Sequence, residues 1–195
     1  EKLAQLKQED DEVKQKQIAE QASTLAEQMR KEDNVEFTVE RLMQLAKASM
    51  FAGRLELAEG QLNQALRQSK KDDDQNGQSR CLTNLGNIAH IRGDYDEAER
   101  LHNENLATSR EIGNRQGESA CLINLGNIAH IRGDYDEAER LNNESLAIKR
   151  QIGDRRGESL CLTNLGNIAY ARSDYDEAER LHNESLATSR EIGNR

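Results

Sequence analysis

Three cysteines, Cys81, Cys121 and Cys161, recur at intervals of forty residues, which raises the question of zinc or disulfides. The interval argues against both. Zinc-binding cysteines come in close pairs such as C-x-x-C, and the sequence holds none. Equivalent positions on packed neighbouring helices lie roughly 8–10 Å apart, too far for a disulfide. The thiols therefore read as small buried hydrophobes in a reducing, cytoplasmic compartment. Among the histidines, His90 and His130 stand one interval apart, a poor metal site without further ligands. His102 and His182 alternate with Asn142 and read as packing residues. The carboxylates of D-Y-D-E, which recurs from Asp94, Asp134 and Asp174, suit helix starts, where they cap the backbone and meet the positive end of the dipole. No nucleophile–base pair, phosphate-binding loop or metal cluster is written here. The expectation is a protein that is not an enzyme and uses no cofactor and no metal.

The elements that hold these residues follow from the interval. Ser79 to Glu118 reads S-R-C-L-T-N-L-G-N-I-A-H-I-R-G-D-Y-D-E-A-E-R-L-H-N-E-N-L-A-T-S-R-E-I-G-N-R-Q-G-E and returns twice. Such recurrence marks a solenoid, one supersecondary unit stacked on copies of itself. Asn114 can cap a first helix running to Arg132, and Gly133 supplies its left-handed stop. Asp134 then opens a second helix with a capping box to Glu137, and Gly153 ends that helix after Ile152. Each unit is thus an antiparallel hairpin of helices about eighteen residues long, roughly 27 Å. The fold class is all-α, an α-solenoid of helix hairpins.

Composition agrees. The 195 residues are 35% hydrophobic, 3% aromatic and 32% charged, enough for a thin continuous core between stacked helices but not for one central core. Proline and tryptophan are absent, which favours uninterrupted helices. A net charge of -9 argues against nucleic acid, which needs a basic stripe. No apolar run approaches the roughly twenty residues of a membrane span. Clear units occupy 79–118, 119–158 and 159–195. A degenerate copy fills 39–78, where Leu42, Leu45, Ala46, Ala58 and Leu66 fall on the positions of Leu82, Leu85, Gly86, Ala98 and Leu106. Lys70 to Gly77 is expected to be a solvated turn. Residues 1–38 carry helical spacing from Ile18 onward and are expected to form an N-terminal amphipathic helix, as a cap or part of a coiled coil. The chain begins without Met and stops in mid-repeat, as a fragment would.

Differences between copies show which face is free. In the first helix the clear units vary at Arg80/Ala120/Leu160, Thr83/Ile123/Thr163, His90/His130/Tyr170 and Ile91/Ile131/Ala171, which fall within one arc of roughly 100°. The unvarying apolar set, including Cys81, Leu82, Leu85, Ile88 and Ala89, points elsewhere. Asn84 with Asn87, Asn124 with Asn127, and Asn164 with Asn167 lie inside the free arc. An Asn amide carries donor and acceptor, so rows of Asn can pair with a peptide backbone without reading its side chains. Repeats about 10 Å apart match about three residues of an extended peptide. His90, Ile91, His130, Ile131 and Tyr170 would then supply side-chain preference, with Arg80, Thr83, Ile123 and Thr163 as secondary contributors. Arg92, Arg132 and Arg172 end the first helices, where a cation suits the carbonyl end of the dipole. A row of Arg can also neutralise an acidic peptide. Tyr95, Tyr135 and Tyr175 are expected to cover the hairpin turns.

L-x-x-L-G-x-x-A followed by A-x-x-x-H, at Leu82, Leu85, Gly86, Ala89, Ala98 and His102, resembles the tetratricopeptide repeat, W-x-x-L-G-x-x-Y then A-x-x-x-F. Leu stands for Trp, Ala for Tyr and His or Asn for Phe, no Pro closes the unit, and forty residues replace thirty-four. The N-L-G-N-I-A, G-D-Y-D-E-A and E-I-G-N-R elements are similar to the forty-residue subclass of Pins-type adaptors, with related repeats in kinesin light chain and in sensor arms of signalling ATPases. The resemblance implies a right-handed superhelix whose first helices line a concave groove, with Asn at these motif positions contacting a bound peptide. The expected function is a protein-interaction scaffold binding an extended or partly helical segment of a partner. Two alternatives stand beside it. One is a sensor or regulatory arm of a larger signalling protein, and the other is end-to-end self-association through an uncapped face at Ala178, Leu181 and Leu186.

Overall fold

The structure is a computed structural model that describes residues 38–193. The helix expected within 1–38 therefore lies, apart from Thr38, outside the described residues. Among the described residues eight helices follow one another: α1 Val39–Phe51, α2 Leu55–Lys71, α3 Gln75–Ile91, α4 Tyr95–Glu111, α5 Arg115–Ile131, α6 Tyr135–Ile152, α7 Arg155–Ala171 and α8 Tyr175–Gly193. No strand occurs among the described residues. The fold is an all-α solenoid of consecutive hairpins.

The helix boundaries arise where the sequence writes them. Asn114 Oδ1 accepts the Gly117 N–H at 2.9 Å and starts α5, and Asp154 does the same for Gly157 at 2.9 Å. Gly133 takes φ +79°, a left-handed conformation that costs an L side chain roughly 1–2 kcal/mol. Its turn lets the Asp134 N–H reach back to the Ala129 carbonyl at 2.9 Å. The capping box expected next is only half formed. Asp134 Oδ1 accepts the Glu137 N–H at 3.2 Å, but the Glu137 carboxylate is held by Arg140 through two bonds of 2.7 Å. A charge-assisted fork three residues on outcompetes a single backbone N–H. The solvated turn expected over Lys70–Gly77 shrinks to Asp72–Asp74, because α2 runs through Lys71 and Asp74 caps Gly77 at 2.9 Å.

The described chain falls into two compact units, one ending at Ile88 and one beginning at Ala89. In the first unit, Leu42 and Met43 of α1, Ala65 of α2 and Cys81 of α3 form one buried cluster, with Val39 and Leu66 packed against it. Ser49 donates to Gln61 at 2.9 Å inside the α1–α2 hairpin, and Arg80 bonds Glu40 at 2.7 Å across α1 and α3.

In the second unit the core runs along the joints between hairpins. Leu106 from α4, Cys121, Leu122 and Leu125 from α5, and Leu141 and Ile148 from α6 make one cluster. The next contains Ile123, Leu146, Cys161, Leu162, Leu165, Ala169, Ala178 and Leu181. Each Leu so buried contributes about 2 kcal/mol. Cys121 and Cys161 sit at these joints with no exposed surface, so the small residue is chosen by space. The glycine of the L-G pair has a matching role. A methyl on Gly126 would collide with the Asn142 amide, and one on Gly166 with the His182 ring. His182 and Asn142 thus fill the same place within their own hairpins.

Two expectations about exposure are corrected here. Ile123 does not lie on the free face. It is 7% exposed and belongs to the joint with α7, because a first helix is covered by the following hairpin as well as by its own partner. Ala178 and Leu181 are likewise buried, at 3% and 7%. Of the three residues expected at an uncapped face, Leu186 alone is exposed, at 46%.

Candidate functional site

The first helices of the second unit bring the predicted residues into a row. Asn124, Asn127 and His130 are half-buried on α5, and Ile131 is 48% exposed at its end. On α7, Asn164 is half-buried, Asn167 is exposed, and Tyr170 is 64% exposed. The helices touch. Asn164 Nδ2 donates to Asn127 Oδ1 at 3.1 Å and to Asn142 Oδ1 at 3.0 Å. Asn142 in turn donates to the Ala138 carbonyl at 2.8 Å, so the network runs from the row into the hairpin interior. These bonds fix both amide orientations. The Asn127 NH2 makes no hydrogen bond among the described residues, and neither does the Asn164 carbonyl oxygen. One amide donor, at Asn127, and one amide acceptor, at Asn164, are thereby left over in the row.

In the first unit, Asn84 donates to the Arg80 carbonyl at 2.9 Å, and Asn87 also has a partner. Thr83 and Thr163 are half-buried and turn their hydroxyls to the carbonyls of Ser79 and Ser159, each at 3.0 Å. Position 83/123/163 therefore varies with packing.

The aromatic positions pair in a regular way. His90 meets Tyr95 with ring centroids 5.4 Å apart, His130 meets Tyr135 at 5.5 Å, and Tyr170 meets Tyr175 at 5.4 Å. Each pair closes a hairpin turn, worth about 1 kcal/mol beyond the area it buries. Ile91, at 60% exposed, stands beside the first of these pairs.

The arginines at the helix ends are engaged. Arg132 reaches back to Asp96 and Glu99, each at 2.5 Å. Arg172 repeats this with Asp136 and with Glu139, the latter at 2.6 Å. Arg92 also has a partner. These are struts between successive hairpins, and the row of Arg read as a surface for acidic peptides is spent on them. Sequence reasoning missed a second set of struts. Glu118 is 6% exposed and is held by Arg110 at 3.0 Å and Arg115 at 2.5 Å. Glu158 is 5% exposed and takes the same two bonds from Arg150 and Arg155. The clue lay in R-x-x-E inside both units, which places cation and carboxylate on one helix face.

On the second-helix side, two equivalent clefts of about 330 and 270 Å³ open above Leu122 and Leu162. The ion pairs Arg110–Glu144 and Arg150–Glu184 lie at their rims.

Burial pushes the thiols up, Cys81 to about 11 and Cys121 to about 12. A thiolate is thus disfavoured at these positions. His102 is 1% exposed with neither ring nitrogen hydrogen-bonded. Burial, with a smaller contribution from His90, lowers its pKa to about 4. Among the described residues no group of His, Cys, Asp and Glu is placed to hold a metal, and no helix is long and apolar enough to cross a membrane.

Stacked hairpins, a small-residue joint at each step and one exposed first-helix row define a helical-repeat scaffold. The family model for the tetratricopeptide repeat matches residues 38–111, 77–151 and 118–191, and the chain belongs to the tetratricopeptide repeat family. No curated protein matches the chain. Several solved structures share its fold. BtubC (BKLC) from P. vanneervenii is 21% identical with a TM-score of 0.73, over 99% of this chain and 79% of that one. The Rap conjugation gene regulator of the plasmid pLS20, solved with the Phr* peptide, is 16% identical with a TM-score of 0.77 over 95% of this chain, which spans 50% of that regulator's length. A Podosopora anserina protein described as a kinesin light chain with nearly identical TPR-like repeats is 16% identical with a TM-score of 0.65, over 92% of this chain and 95% of that one.

Proposed function

We propose that the chain is a protein-interaction scaffold whose first-helix row in the second unit binds an extended or partly helical segment of a partner protein. The observation that carries this reading is the donor and acceptor left at Asn127 and Asn164 by their own hydrogen bond. They would hold one peptide unit, with Asn124 and Asn167 extending the row. Ile131 and Tyr170 would take the partner's apolar side chains, and the paired His130 would border them. Asn84 and Asn87 stand at the equivalent positions of the first unit, where the Asn84 amide donates to the Arg80 carbonyl. This row would be the concave groove of the family. The peptide bound by the Rap regulator lends support at the level of the fold.

The test is to select binders for the native chain from a displayed peptide library and then measure their affinity for Asn124→Ala/Asn127→Ala. Affinity should fall at least tenfold while the helical circular dichroism is retained. Equal affinity for the two proteins rejects the row as the binding surface.

A further inference from the structure

The α4–α5 and α6–α7 joints are nearly the same surface written twice. α5 and α7 differ only at Gln116/Arg156, Ala120/Leu160, Ile123/Thr163, His130/Tyr170 and Ile131/Ala171. Leu106 packs with Cys121 and Leu122 at one joint, and Leu146 with Cys161 and Leu162 at the other. Such likeness carries a hazard. A hairpin that either of two first helices can cover can be covered by the wrong one, from its own chain or from a second copy.

One buried change of charge separates the joints. Ser109 of α4 becomes Lys149 of α6, and the cap Asn114 becomes Asp154. Lys149 is 4% exposed, and its ammonium donates to Asp154 Oδ2 at 2.8 Å. Asp154 Oδ1 accepts the Gly157 N–H at 2.9 Å, and Gln116 of α5 donates to Oδ2 at 3.2 Å. The Lys149 methylenes lie against Gly157 as the Ser109 hydroxyl lies against Gly117. The two pairs therefore occupy the same place in their joints with different chemistry.

We propose that Lys149 and Asp154 set the register of the array by making the α6–α7 joint unlike the α4–α5 joint. If α5 of a second copy covered α6, Lys149 would meet Asn114. If α7 covered α4, Asp154 would meet Ser109. The first error buries an ammonium without a carboxylate, which is disfavoured far more strongly than the loss of a neutral contact. A buried ion pair suits this task even where it adds little net stability. The consequence reaches the first-helix row, because the Asn127–Asn164 bond requires α7 to follow α5.

Two variants of the full chain test this. Lys149→Ser/Asp154→Asn gives both joints the Ser–Asn pair, and Ser109→Lys/Asn114→Asp gives both the Lys–Asp pair. The second variant keeps the native ion pair and adds another, so a merely stabilising role predicts clean folding from it. Each protein is refolded from urea at several concentrations, diluted and separated by size exclusion. Oligomers that survive dilution should be about threefold or more abundant for both variants than for the native chain, and should increase with the concentration at refolding. A native distribution from either variant overturns the proposal. Should the Lys–Asp duplicate lose its helical circular dichroism, the Ser–Asn variant decides alone.

Discussion

Asn164 on α7 donates its amide to Asn127 on α5 at 3.1 Å, so the second asparagine of one repeat is bonded to the first asparagine of the next. The same amide serves Asn142, whose side chain is 1% exposed. Asn164→Ala removes both bonds and leaves a buried acceptor without its donor. A loss of about 1–2 kcal/mol in urea unfolding is expected. Asn167→Ala, on an exposed position of the same helix, should leave the midpoint within experimental error.

Glycine is required at one helix interior and dispensable at another. Gly126→Ala forces a methyl into the Asn142 amide and should cost about 1–3 kcal/mol. Gly60 lies inside α2 with nothing within 4 Å of a built methyl. Gly60→Ala should instead stabilise by about 0.5–1 kcal/mol, the difference in helix propensity. Chemical denaturation of the two variants checks the opposite signs.

Ser173 takes φ +64° where the equivalent residues Gly93 and Gly133 take +78° and +79°. A serine there carries left-handed strain that glycine avoids. Ser173→Gly should raise stability by about 1 kcal/mol, read as a higher thermal midpoint.

His102 gives the chain an acid limit. Its folded pKa is lowered from 6.5 to about 4 by burial. Between those values the unfolded chain takes up a proton that the folded chain refuses, so stability falls as pH drops from about 6.5 towards 4. The slope approaches about 1.4 kcal/mol per pH unit for this one group. His102→Asn, which installs the residue found at Asn142, should flatten that slope in urea titrations at pH 4.5, 5.5 and 7.

Helix order and most boundaries were legible because they rest on local chemistry. Asn114, Gly133 and Asp134 announce a cap, a left-handed turn and a second cap within twenty-one residues, and the structure places its helices accordingly. What could not be read depended on residues far away in sequence. Ile123 looked free on a helical wheel because a wheel shows one partner, whereas a stacked first helix also meets the next hairpin at Leu146 and Cys161. Arg132 finds its carboxylates 36 and 33 positions earlier, a distance at which an isolated unit offers no clue. The row itself was visible as repeated Asn, but its internal bond was not. That bond decides which amide atoms remain to meet a partner.

The cysteines at the joints make the chain its own reporter of breathing. Cys81 is held within the first unit, and Cys121 and Cys161 within successive joints of the second, each with no exposed surface. A thiol reagent reaches each sulfur when its own joint opens. The rates of labelling at these positions therefore form a map of local opening free energy along the array, readable without a single introduced probe.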